Sequence, residues 1–121
     1  MVSPPIAWRG PLHDLYLIVR NVEGLAPGIY LHHPGVHAVE RLRAGAFPER
    51  AARIAAEQEY AGEAHVNWYC LTDLAPFLER YGNRGYRLAQ LECALHAGKL
   101  HLGAHAVGLG AVGSTSLDDE V

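Results

Sequence analysis

Cysteine is scarce in this chain: of 121 residues only Cys70 and Cys93 carry a thiol. They lack CxxC spacing and no secretory signal precedes them, so a disulfide framework is excluded and a reduced, buried state in a cytoplasmic setting is expected. Lysine is scarcer still. Lys99 stands alone beside nine Arg, and with a net charge of −3 and a pI near 6.2 there is no basic block of the kind a nucleic-acid binder uses. No uninterrupted apolar run approaches membrane-spanning length, and the Pro-rich start MVSPPIAWRGP is too short for a targeting segment, so a soluble protein is expected. Also missing are a P-loop, a Ser-His-Asp signature and paired Rossmann glycines after a strand, which removes the hydrolase and kinase classes.

What is present suffices for one domain, residues 1–121, with a modest core, since half of the chain is hydrophobic. The order of patterns is α+β. Residues 14–22 (DLYLIVRNV) are dense in β-branched and aromatic residues and predict a strand, closed by Glu23-Gly24 and Pro27-Gly28. Shorter strands follow over 28–32 and 37–43, joined by a Pro-Gly turn at His33-Pro34-Gly35, so the first three strands read as antiparallel. From Phe47 to Tyr60 the spacing of Ala51, Ile54 and Ala55 behind Pro48 predicts one amphipathic helix. Residues 64–72 (AHVNWYCLT) are apolar on both faces and predict a central strand covered on both sides. Thr72-Asp73 offers a cap for a short helix to about Glu79. The longest helix is predicted over Tyr86 to Val107, with Leu88, Leu91, Leu95 and Leu102 along one edge and small residues around it, a surface suited to close approach of a second helix.

Between the last two helices stands Glu79-Arg80-Tyr81-Gly82-Asn83-Arg84-Gly85-Tyr86-Arg87, where two Tyr and three Arg gather around two Gly. By composition alone this is a polar corner with an ordinary Asn-Arg-Gly turn and solvated Arg side chains. Its surroundings give it more meaning. The succession VEGLAPGIY at Val22–Tyr30, RYGNRGYR at Arg80–Arg87 and GLGAVGSTSLDDEV from Gly108 resembles the SagB-type branch of the nitroreductase-like FMN flavoproteins, which includes the azoline dehydrogenases of ribosomal peptides. The resemblance covers about residues 15–121.

That resemblance implies a nitroreductase-like antiparallel or mixed sheet flanked by helices, with a long central helix, incomplete at both ends relative to the family. It implies an FMN-dependent oxidoreductase, possible oxidation of azoline rings in peptides, and a homodimer with the long helix in its core beside the flavin. Tyr81 is the implied proton-transfer residue, with Arg80 for orienting or electrostatic support. Arg80 stands where the family carries Lys, and Arg cannot act as a base near neutral pH, which leaves proton abstraction to Tyr81. Val112, Gly113, Ser114 and Thr115 are implied as backbone contacts to the flavin, and Arg84 as a cofactor-binding side chain. Read without the resemblance, Gly108-Leu109-Gly110 is a helix end, because Gly after a helix is the commonest C-terminal cap.

The family's Arg-rich phosphate grip has only a weak counterpart at Arg9-Gly10-Pro11-Leu12-His13, and Ser116-Leu117-Asp118-Asp119 announces a helix that would run past Val121. The alternative to an oxidoreductase is therefore a flavin-free homologue acting as a binding or scaffold subunit. Among the eight histidines, His101 and His105 stand one helical turn apart and His32, His33 and His37 surround a turn. Neither group carries the Glu of HExxH or an evident third ligand, so no metal is expected.

Overall fold

A run of apolar, β-branched and aromatic residues sets the first strand. In β1, Asp14–Val19, the side chains of Leu15, Leu17 and Val19 share one face and all three are buried. The computed structural model describes residues 13–55 and 57–113. After β1 come β2 (Gly28–His33), β3 (Ala38–Ala44), α1 (Pro48–Ile54), α2 (Glu59–Glu63), β4 (Val66–Leu71), α3 (Leu74–Tyr81) and α4 (Arg84–Ala106). The four strands form one sheet in the order β3-β2-β1-β4, antiparallel at every pairing. The α+β class, the antiparallel start and the long last helix are thus as the sequence predicts.

Register places the core. Leu17 stands opposite Tyr30 on β2 and opposite Trp68 on β4, while Val19 pairs with Gly28 and Val66. Leu17, Val19 and Tyr30 form the central buried cluster, with Leu25 and Val66 packed against it. The Tyr30 hydroxyl, the one polar atom this ring brings inside, donates to the Ala26 carbonyl at 2.6 Å.

Three sequence expectations are corrected. The first strand stops at Val19 rather than Val22, because the Arg20 and Asn21 amides both turn to the His65 carbonyl, at 2.9 and 3.1 Å. The Arg20 side chain continues the same tie, donating to the Ala64 and Glu63 carbonyls. Next, the single helix over 47–60 is two. Pro48 does open α1, but Glu57 takes a left-handed φ of 61° and the chain folds back. Gly62 of α2 then lies so near the start of α1 that a Cβ on it would stand 2.8 Å from the Pro48 carbonyl oxygen, a contact one straight helix cannot make. Finally, β4 is an edge strand of the described sheet, not a central one, and Trp68 and Leu71 are 40% and 53% exposed. Its apolar residues on both faces misled because β1, not β4, has strand neighbours on both sides.

The turn between β2 and β3 is a short 3-10 segment, Pro34–Val36, closed by His37 in the left-handed region at φ 48°. Among the described residues no helix is long and apolar enough to cross a membrane. Arg9–Leu12 and Ser116–Asp119, both singled out in the sequence, lie outside the described residues.

Candidate functional site

The polar corner of the sequence is the junction of α3 and α4. Asp73 caps α3 by accepting from the Ala75 amide at 3.3 Å, and the helix buries Phe77 and ends in Arg80 and Tyr81. The chain then turns through Gly82, whose φ of 63° and ψ of −146° suit glycine alone. Its amide closes the helix on the Leu78 carbonyl at 2.8 Å, and the Gly85 amide bonds the Gly82 carbonyl at 2.9 Å. Gly85 is buried against the α3 backbone, so the two helices meet with no side chain between them there.

This junction holds two of the predicted residues in direct contact. The Arg80 guanidinium carbon lies 5.3 Å from the centre of the Tyr81 ring, a cation–π placement, and Tyr81 packs on Phe77 at a centroid separation of 6.1 Å. Tyr81 is half-buried, whereas Arg80, Arg84, Tyr86 and Arg87 are exposed. Gln90 reaches back one turn to donate to the Tyr86 hydroxyl at 3.1 Å. The corner therefore offers a phenol packed between two neighbours, with further exposed arginines nearby in sequence.

The second predicted set lies at the far end of α4. This helix runs 23 residues, so roughly 35 Å separates Arg84 from its last turn. There Gly108, at φ 78°, gives its amide to the His105 carbonyl at 3.1 Å while the Leu109 amide bonds the Ala104 carbonyl at 2.8 Å. That is a Schellman-type ending and accounts for Gly108 structurally. Val112 and Gly113 follow in an exposed segment, with open space about Gly110 and Gly113; Ser114 and Thr115 lie outside the described residues. Within one chain, then, Arg80 and Tyr81 are in contact, Arg84 stands exposed at the start of α4, and Val112 and Gly113 lie at that helix's far end.

Between these ends, α4 shows two stripes. Gly85, Ala89 and Glu92 are buried, with His96 half-buried on the same line. Of the predicted apolar edge Leu88 is half-buried, whereas Leu91, Leu95 and Leu102 are 57%, 49% and 71% exposed, and nothing lies within 4 Å of where a Cβ on Gly98 would sit among them.

Sequence reasoning missed one cluster altogether. His13, just ahead of β1, meets Cys70 of β4 and Cys93 of α4, with one ligand-type atom from each lying within 4.8 Å of the others. The His13 side chain is only 2% exposed, and its Nδ1 stands 3.7 Å from Glu92 Oε2. Its ring packs edge-on to that of His96 at 5.2 Å, and the Thr72 hydroxyl lies 3.8 Å from Cys93 Sγ. Both cysteines are free and half-buried rather than fully buried as expected. Burial, with the neighbouring Cys93 thiol adding to it, pushes Cys70 up to about 12, and burial alone pushes Tyr69 to about 12. The signal was present in β4: Cys70 pairs with Leu15 and so shares the face of the buried β1 residues, which also carries His13 two positions earlier.

Comparison with known proteins follows the same lines. No family model matches the sequence. A Methanocaldococcus jannaschii protein named as a nitroreductase is 27% identical over 99 residues, covering 82% of this chain and 50% of that protein. A crystal structure of an Anabaena variabilis protein, also named as a nitroreductase, matches 90% of this chain and 23% of its own with a TM-score of 0.86 and 25% identity. The chain thus spans half the length of the curated relative and about a quarter of the solved one. In both sequence and backbone the chain is similar to proteins named as nitroreductases, and it shares the α+β fold of the solved one.

Proposed function

We propose that this chain is an FMN-dependent oxidoreductase of the SagB type that works as a homodimer, and that its substrates are azoline rings in peptides. The observation that carries the reading is the division of the predicted site between the two ends of α4, with an exposed leucine stripe between them. Leu91, Leu95, Gly98 and Leu102 follow the spacing of a helix-pairing seam, and Gly98 in its middle leaves room for a second backbone. Antiparallel pairing of two copies along that seam would carry Val112 and Gly113 of one copy toward the Tyr81 corner of the other, a two-fold arrangement in which the same surface serves both partners.

The residues suit a flavin. Val112 and Gly113 are exposed and the space about Gly113 is open, so a flat ring can approach this backbone, and Arg84 adds a cation for an anionic group. FMN, when bound, supplies the hydride acceptor that no side chain can provide. The chain's own part is the proton. Tyr81 takes it from the substrate ring, and Arg80, stacked on the phenol, fixes the ring's direction. Two free thiols accord with a reducing compartment, and we place the protein in the cytoplasm.

The test is a visible absorption spectrum of the full chain purified with added FMN, with the mass in solution measured by light scattering. A flavin band that co-purifies with a dimer supports the reading. A colourless protein that takes up no FMN overturns it, and a flavin-free binding subunit becomes the better account.

A further inference from the structure

We propose that His13, Cys70 and Cys93 form a binding site for a soft divalent transition-metal ion, Zn2+ being the natural probe. Three independent elements deliver the ligands: the residue entering β1, the edge strand β4 and the buried face of α4. The donor set is one imidazole and two thiols, a combination that selects zinc and its chemical neighbours over magnesium or calcium.

The second observation is the state of His13. Its side chain is 98% buried, yet among the described residues neither ring nitrogen has a hydrogen-bond partner. A buried imidazole normally satisfies at least one nitrogen, because leaving such a group unpaired costs free energy. A metal ion between the two sulfur atoms and the ring would use one of these nitrogens. Glu92 stands beside the ring, its Oε2 3.7 Å from Nδ1, and a neighbouring carboxylate is the usual outer partner of a metal-bound histidine.

Geometry and charge both permit closure. Tetrahedral zinc with sulfur at about 2.3 Å and nitrogen at about 2.0 Å sets its ligand atoms roughly 3.5–3.8 Å apart. The three donors lie within 4.8 Å of one another, so rotation of the cysteine side chains and a small shift of α4 bring them to bonding distance. Binding forms two Zn–S bonds and one Zn–N bond and releases two thiol protons to solvent, leaving a site of zero net charge before any fourth ligand. The fourth position falls to water. Since both cysteines are only half-buried, the ion has a way in. The surface pair His101 and His105 has no part in this site.

The experiment uses the full chain, reduced with a phosphine and freed of metal by a chelator, titrated with Co2+ and then Zn2+. The expected result is one Co2+ per chain, with an intense near-ultraviolet thiolate-to-cobalt band and the visible bands of tetrahedral cobalt, all bleached by one equivalent of Zn2+. Cys70→Ser and Cys93→Ser each weaken Zn2+ binding by more than the roughly 100-fold that loss of an outer partner costs, while His101→Ala/His105→Ala changes nothing. A second readout needs no variant: in the wild-type chain, Zn2+ slows alkylation of Cys70 and Cys93 together, followed by peptide mass. Absence of a thiolate band, binding that survives both serine substitutions, binding lost with the His101/His105 pair, or alkylation rates that ignore Zn2+ would each overturn the proposal.

Discussion

Gly85 of α4 lies directly against Phe77 of α3: a Cβ at Gly85 would stand 2.6 Å from the Phe77 carbonyl oxygen and 2.7 Å from its carbonyl carbon. Both neighbours are backbone atoms and cannot rotate away. Gly85→Ala is therefore expected to push the helices apart and cost about 1–3 kcal/mol, the range for overpacking. Gly103→Ala, where nothing lies within 4 Å, should instead stabilise by roughly 0.5–1 kcal/mol through better helix propensity. Thermal midpoints of the two variants moving in the same direction would contradict this contrast.

The exposed leucine stripe makes a separate prediction about assembly. Leu95 is 49% exposed in the single chain, so Leu95→Glu leaves the folded subunit intact by circular dichroism. If α4 pairs with its copy, the same change buries a charge in the seam and yields monomers by light scattering. Gly98→Ala sharpens the point: in an unpaired helix it stabilises, whereas across a close helix pair it weakens the dimer. A wild-type chain already monomeric at high concentration would remove the dimer from the proposed function.

Tyr81→Phe keeps the packing on Phe77 and Arg80 and removes only the hydroxyl. On the proposed chemistry, the rate of flavin reduction by substrate falls by about 10²–10⁴-fold, the contribution of a positioned acid or base. Tyr86→Phe loses just the exposed contact with Gln90 and should leave that rate nearly unchanged. Equal rates for Tyr81→Phe and the wild type would assign the proton to another group.

His96 predicts a pH dependence of the metal-free protein. Burial holds its pKa below the ordinary 6.5, helped by His13, Lys99 and His32, while Glu92 opposes the shift. The unfolded chain thus takes up this proton before the folded one does. Between 6.5 and the lower folded value the unfolded state binds more protons, so stability present above 6.5 is lost as pH falls through that window. Urea midpoints at about pH 7.5 and about pH 5.5 should differ, and His96→Gln should reduce the difference. An unchanged difference in that variant would place the effect elsewhere.

Local chemistry made much of the fold legible. Density of β-branched and aromatic residues in 14–19 and in 66–71 marks strands, Pro48 opens a helix, and Asp73 caps one, because each of these signals acts through neighbouring backbone. The α3–α4 corner was legible for the same reason, since Gly82 and Gly85 are required by the backbone within a few residues of Tyr81. The break at Glu57 was not. Helical spacing continues through it, and what interrupts it is the return of Gly62 onto Pro48, a contact outside any local pattern.

By itself the sequence determined most of the element types, the antiparallel start, the long α4 and the glycine corner at its entrance, all products of short-range periodicity and turn chemistry. Tertiary structure alone decided which strand stands at the edge, which stripe of α4 is covered and which is left open. It also brought His13, Cys70 and Cys93 to one place. Those outcomes depend on strand register and on how α4 lies against the sheet. They are long-range pairings, selected by the burial of Leu17, Val19 and Tyr30 and not by any motif that spacing along the chain can display.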